Sequence, residues 1–264
     1  MARLDVKRPE WRVERWKWPL RAASLLVFAL TWEALARTMH SLLLPTFTGA
    51  MAALARLLTQ AETWQAIWIS NQALMLGYAL TVSAGVPLGL LLGRSPRLGR
   101  LADPYLNTLL VTPISALIPL FIVATGLGLT SRVLVVFAFS FVVVTVNTQA
   151  GLRHVEPTLI EMARSFGATE GQLWGKVLLP GALPAVMAGL RLGLGRAITG
   201  MVNVELLLTA AGLGLLILRY QADFESDFVY AVILVVVAEA VVFMGGIKQL
   251  ERRLTSWESD TPVR

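Results

Sequence analysis

The sequence predicts an all-α integral membrane protein with six transmembrane helices and both termini in the cytoplasm. Three observations carry this. Of 264 residues, 56% are hydrophobic and only 15% charged, against roughly 45–50% and about 25% in an ordinary soluble domain. Six apolar stretches each approach the roughly 20 residues that cross a hydrocarbon core as helix. The basic residues then fall mostly on one side of those stretches, as expected for cytoplasmic loops. A chain with a mean hydropathy of +0.66 cannot cover its own surface with polar groups, so the bilayer is its solvent.

The stretches run over residues 20–36, 67–92, 106–127, 133–152, 182–208 and 228–247. The first reads as a retained helix rather than a cleaved signal. It follows a long basic segment and lacks a small-residue cleavage site. Trp11, Trp16 and Trp18 beside it suit the membrane interface, and Glu33 and Arg37 make an i, i+4 pair that satisfies itself. The second carries Gly85, Gly89 and Gly93, a doubled small-xxx-small pattern that lets another helix approach closely. Pro87 lies in that segment, and Pro113 and Pro119 interrupt the third. Such breaks survive in lipid where neighbouring helices or a cavity satisfy the freed carbonyls, so each proline marks either packing or a bend that shapes a pathway.

With the N-terminus inside, one face receives residues 1–21, 93–105, 153–181 and 248–264, and with them 17 of the 23 Lys and Arg. Only Arg37, Arg56, Arg132 and Arg219 fall on the other side, while Arg191 and Arg196 lie within the fifth span. The net charge of +6 therefore expresses membrane topology and implies no nucleic-acid partner.

Several chemistries are excluded. There are no cysteines, hence no disulfide or thiolate site. The two histidines, His40 and His154, are far apart, so no clustered imidazole metal site exists. The longest segments between spans, 37–66 and 153–181, are shorter than the roughly 50 residues an independent domain needs. Residues 171–177 fail as a phosphate loop, with three residues between Gly171 and Gly175 and Val177 where a hydroxyl should hold magnesium. No cofactor is expected on this chain, and any ATP it uses must be bound by another.

Polar residues at bilayer depth mark the pathway candidates, because charge there is costly and faces a cavity or partner. On the fifth span Arg196, Thr199 and Asn203 fall at i, i+3 and i+7, on one stripe. Arg191 and Glu205 also share nearly one face. Asn147 and Gln149 stand near the end of the fourth span, and Glu239 lies mid-span on the sixth. For the Arg196 stripe two readings remain, a pathway lining or an arginine that snorkels to the headgroups. Gly193, Gly195 and Gly200 would let a partner helix come close.

The segment between the fourth and fifth spans carries most information. Glu156, Pro157 and Thr158 read as a helix start. A first helix stopping at Gly167 and a second stopping before Pro180 would form a cytosolic helix–turn–helix knuckle. Phe166, Leu173 and Trp174 give it apolar surface that a lone membrane protein has no reason to show water.

That segment resembles the EAA motif of ATP-binding-cassette importer permeases, written EAA-x3-G-x9-I-x-LP. Here Glu161, Met162 and Ala163 are followed by three residues, Gly167, nine residues, then Val177-Leu178-Leu179-Pro180. Every spacing agrees, with Met162 for Ala and Val177 for Ile as conservative departures. The resemblance runs from about Thr63 to Leu254, and is nearest to the branch importing nitrate, taurine, alkanesulfonates, aromatic acids or thiamine precursors. It implies a type I importer fold that pairs with a second copy. Glu161, Met162, Ala163, Ser165, Phe166, Gly167 and Ala168 would form a coupling helix, within about 157–176, docked on one of two cytoplasmic ATPase subunits that bind ATP and Mg. A periplasmic or lipid-anchored binding protein would deliver the solute. The organisation expected is residues 1–64 as N-terminal segment, first span and periplasmic segment, 65–254 as permease core, and 255–264 as cytoplasmic tail. A self-contained secondary transporter is the alternative, but it would show internal repeats and ion-coupling charges and has no use for the knuckle. The expected location is the bacterial inner membrane.

Overall fold

The computed structural model describes residues 10–39, 41–208 and 211–255. The expected interfacial tryptophans at 11, 16 and 18 lie outside the described side chains, and His40 lies outside the described residues. Among the described residues there are eleven α-helices and no strand.

Helix α1 (Glu10–Met39) is followed by the short apolar α2 (Phe47–Leu57), which a plain loop reading of 37–66 misses. Thr46 caps α2 by accepting from the Gly49 amide at 3.0 Å. Glu33 accepts from Arg37 at 2.7 Å and from the Thr48 amide at 3.1 Å, so the i, i+4 pair also fixes the start of α2. Trp32 packs its ring against Phe28, Phe47 and Tyr230, and joins the C-terminal half of α1 to the rest of the molecule.

Helix α3 (Ala61–Arg94) runs uninterrupted through Pro87, so that proline does not break the second span. The third span does break. In place of one helix over 106–127, α4 (Pro96–Val111) and α5 (Ile118–Thr125) meet at an 87° bend, joined by a single 3₁₀ turn at Ile114–Leu117. Pro113 explains the break: it has no amide hydrogen and it forces Thr112 out of the helical region, to ψ 129°. Pro119 sits in the first turn of α5, where its missing donor costs nothing. The segment 93–105, expected as a basic loop, is instead mostly α4, capped by Ser95. Counting the bent pair as one span gives, among the described residues, six helices long and apolar enough to cross a membrane.

Helix α6 (Leu129–Arg153) is the centre of the bundle, packed between α3 and α9 (Leu179–Leu208). Small residues permit this on both sides. A Cβ on Gly89 would lie 2.6 Å from the Thr145 carbonyl oxygen, and one on Gly93 would lie 2.9 Å from that of Gln149. Gly85 also faces α6, less tightly, at 3.2 Å from the Thr145 hydroxyl. On α9, Gly193 faces Val144 and Gly200 faces the Phe139 ring, both on α6, whereas Gly195 faces Met244 of α11 (Ser226–Leu254). Thr81 and Ser140 add a buried hydroxyl pair at 2.7 Å between α3 and α6. Between α9 and α11 lies α10 (Leu213–Ala222), a short helix that the hydropathy pattern does not reveal.

Candidate functional site

At the break in the third span lies a cavity of about 270 Å³. Its floor is the bend itself, with Thr112, Pro113, Ile114 and Ser115; Phe139 and Val143 of α6 form one wall and α9 the other. The α9 wall presents Arg196, Thr199 and Asn203 together, on the stripe their spacing predicts. Thr199 returns its hydroxyl hydrogen to the Gly195 carbonyl at 3.0 Å. Arg196 and Asn203 make no side-chain hydrogen bond or ion pair among the described residues. Arg196 stands 17 residues beyond the start of α9 and 12 before its end, or about 26 and 18 Å at 1.5 Å per residue.

The other pathway candidates lie elsewhere. Asn147 donates to the Val143 carbonyl at 2.8 Å and packs against Gly189, away from the cavity lining. Glu205 is fully buried and accepts from Ser70 at 2.9 Å and from the Gly214 amide at 3.0 Å. It pins α3 and the α9–α10 turn together, and the Leu213 amide completes the pin by donating to Ser70 at 2.9 Å. Arg191, nearly on the face of Glu205 by its spacing, reaches Glu251 of α11 at 2.8 Å. Glu239 accepts from Asn71 at 2.7 Å. A buried carboxyl group requires hydrogen-bond donors of this kind.

At one end of the bundle, α6 leads into α7 (Pro157–Ser165), with Pro157 in its first turn. Gly167, at φ 75°, closes α7 in a left-handed turn. The Ala168 amide reaches the Ala163 carbonyl at 3.0 Å and the Gly167 amide reaches Arg164 at 2.9 Å, the paired bonds of a Schellman cap. No atom of this chain lies within 4 Å of a Cβ placed on Gly167. The residue is therefore needed for its backbone conformation, not for close approach within the chain. Thr169 and Gln172 cap the next turn, α8 (Glu170–Leu173), reciprocally. The second helix does not stop before Pro180. It passes through one π turn, in which the Leu179 amide reaches the Trp174 carbonyl, straight into α9. The wide turn absorbs the donor that Pro180 lacks.

The knuckle has two faces. Of the apolar residues expected at its surface, Leu173 and Trp174 instead pack inward, with Ile160 and Ala163, on Leu152, Val155, Leu178 and Ala182. Outward stand Glu161, Met162, Ser165 and Phe166, the last 85% exposed.

The family model described as "Binding-protein-dependent transport system inner membrane component" matches residues 85–256. The chain belongs to that family. Among its relatives, the taurine transport system permease protein TauC of Escherichia coli (strain K12) is 31% identical over 93% of this chain and 94% of its own. SsuC of Bacillus subtilis (strain 168), ascribed to aliphatic sulfonate transport, is 32% identical over 82% and 78%. The formylaminopyrimidine transport permease protein ThiX of Halalkalibacterium halodurans is 31% identical over 69% and 73%. Among solved structures, a chain of the MetNI methionine ABC transporter in an inward-facing conformation superposes with a TM-score of 0.60 at 22% identity, over 71% of this chain and 94% of that one. This likeness establishes the fold as that of a type I importer permease. The protein is thus a multi-pass inner-membrane permease subunit of an ABC importer.

Within this binding-protein-dependent transport permease, several side chains escape sequence reasoning. Thr112 and Ser115 enter the cavity only because the third span bends. Ser70 serves Glu205 from 135 positions away. Glu170 ties the knuckle to α3 by accepting from Arg164 at 3.1 Å and Arg94 at 3.3 Å. The one available signal is at Asp103, the only acid in the otherwise basic stretch 93–105.

Proposed function

We propose that this permease pairs with a second copy and conducts a small anion, of the sulfonate type, past the Arg196 stripe. A cytoplasmic ATPase docked on α7 would drive it. The observation that carries the reading is the cavity at the bend in the third span, with an unpaired arginine and a free amide side by side. An unpaired guanidinium at membrane depth is expensive, and its cost is recovered when an oxyanion accepts its forked donors. Relatives named for taurine and for aliphatic sulfonates support the anion. A pyrimidine precursor, the cargo named for another relative, would leave the cation unused.

The orientation belongs to the same reading and rests on the 17-to-4 distribution of basic residues. Reporter fusions at Ser95 and Gly171 are expected to read cytoplasm, and those at Ala55, Ser131 and Asp223 the opposite side. A periplasmic signal at Gly171 would reverse the topology and remove the knuckle from any ATPase.

Coupling is tested on the assembled complex in proteoliposomes, with taurine as cargo. Glu161→Lys reverses an exposed charge, and Gly167→Asp forces a side chain into a left-handed conformation at a cost of about 1 kcal/mol or more. Both variants should insert normally, yet lower ATPase retention or cargo-stimulated hydrolysis by at least roughly tenfold, the equivalent of about 1.4 kcal/mol. Wild-type uptake in both would sink the coupling assignment.

A further inference from the structure

Asp103 is a partly exposed carboxylate that holds two side chains of α6 at once. On α4, its Oδ1 accepts from Gln149 Nε2 at 2.8 Å, and both its oxygens accept from the Arg153 guanidinium at 3.2–3.3 Å. The site is built for this contact. Gln149 is only 3% exposed. Gly99, one turn before Asp103, leaves the slot that Arg153 fills, and a Cβ there would collide with the guanidinium. Charge-assisted, forked bonds of this kind fix relative geometry as well as adding energy.

The two ends of the link are what give it meaning. Arg153 is the last residue of α6, four residues before Pro157 opens α7. The stretch between is anchored, because Val155 is buried in the same apolar cluster as Leu152 and Leu173. The knuckle and the end of α6 therefore move as one body. From Asp103, α4 runs eight residues to Val111, and the bend that floors the cavity begins at the next residue. No other side-chain hydrogen bond or ion pair joins α4 to α6 among the described residues.

We infer that Asp103 is a positioning residue that transmits movement of the knuckle, through Arg153 and Gln149, to the broken third span and the cavity it floors. This rests on the coupling reading above and names the part of the chain that carries the signal away from α7. The lever is short and rigid: an ion pair at one end, two turns of helix, and a bend at the other. Spatial adjacency alone does not prove coupling, so the consequence must be measured as a ratio rather than as a loss.

The assembled complex, with its ATPase and binding protein, is reconstituted and taurine uptake is read against ATP hydrolysed. Asp103→Asn removes the charge while keeping shape and one acceptor oxygen. The expected result is normal ATPase retention and cargo-stimulated hydrolysis, with taurine moved per ATP lowered at least fivefold. Exchanging the charges, Asp103→Arg with Arg153→Asp, should restore at least half of that ratio, which a loss unrelated to this ion pair would not allow. If Asp103→Asn fails to accumulate, Gln149→Leu, which removes one donor and leaves the ion pair, should lower the ratio in the same direction. An unchanged ratio in whichever single variant accumulates overturns the proposal and leaves the coupling reading standing. So does a lowered ratio that the charge exchange does not recover. Wild-type hydrolysis that ignores loaded binding protein would instead overturn the coupling reading, and this proposal with it.

Discussion

Arg196→Ala is expected to cut taurine uptake by about 10- to 100-fold while the protein stays inserted and assembled. The variant removes the one cation among the described residues that line the cavity and breaks no side-chain hydrogen bond or ion pair among them. A hydrogen bond to a charged group is worth about 1.5–3 kcal/mol, and tenfold corresponds to about 1.4 kcal/mol, which sets the range. Arg196→Lys should recover part of the loss, since it keeps the charge but gives up the fork. Labelling adds a geometric readout. Asn203→Cys faces the same cavity, so small aqueous thiol reagents should reach it in at least one nucleotide state. An Arg196→Ala protein that transports normally, with Asn203→Cys unlabelled in every state, would make the stripe packing rather than path.

The parts of this molecule legible in the sequence are those governed by local rules. Hydrocarbon thickness sets span length, so all six spans stand where the apolar stretches do, including the third with its break. The knuckle's first helix is legible for the same reason, because a proline start and a glycine stop are chemical necessities of single residues. What local rules cannot express is which way a stripe faces. The i, i+3, i+7 spacing groups Arg196, Thr199 and Asn203, but their common cavity exists only because Pro113 turns the third span by 87°. Spacing puts Arg191 and Glu205 nearly on one face but cannot say which helices claim them, and Glu251 and Ser70 do so. Asp103 stands out as the lone acid of 93–105, but its partners stay hidden because a basic stretch reads as a loop until Ser95 is seen capping a helix. Apolar helices below span length, such as α2 and α10, give too weak a periodic signal to stand out between stronger neighbours.

The glycine stripe of α3 makes the sharpest structural test, because its three members differ in clearance. A Cβ on Gly89 would stand 2.6 Å from both the Thr145 carbonyl oxygen and Thr148 Cβ, atoms of the α6 backbone and its immediate branch. Neither can swing away, so α3 and α6 must separate along their length. Overpacking of this kind costs about 1–3 kcal/mol, and here it strikes the central helix on which α9 also rests. Gly85 differs: its Cβ would meet only side-chain atoms, at 3.2 Å or more. Alanine there also gains up to about 1 kcal/mol of helix propensity over glycine, which offsets the small displacement. Gly89→Ala should therefore lower the thermal midpoint of the purified permease by several degrees and reduce its yield, and Gly89→Val should prevent its accumulation altogether. Gly85→Ala should melt within about two degrees of the wild type, since a net change near zero moves the midpoint little. Melting of the detergent-purified variants, followed by intrinsic fluorescence, reads both. Equal melting of Gly85→Ala and Gly89→Ala would mean that α3 and α6 are not held as closely as this packing requires.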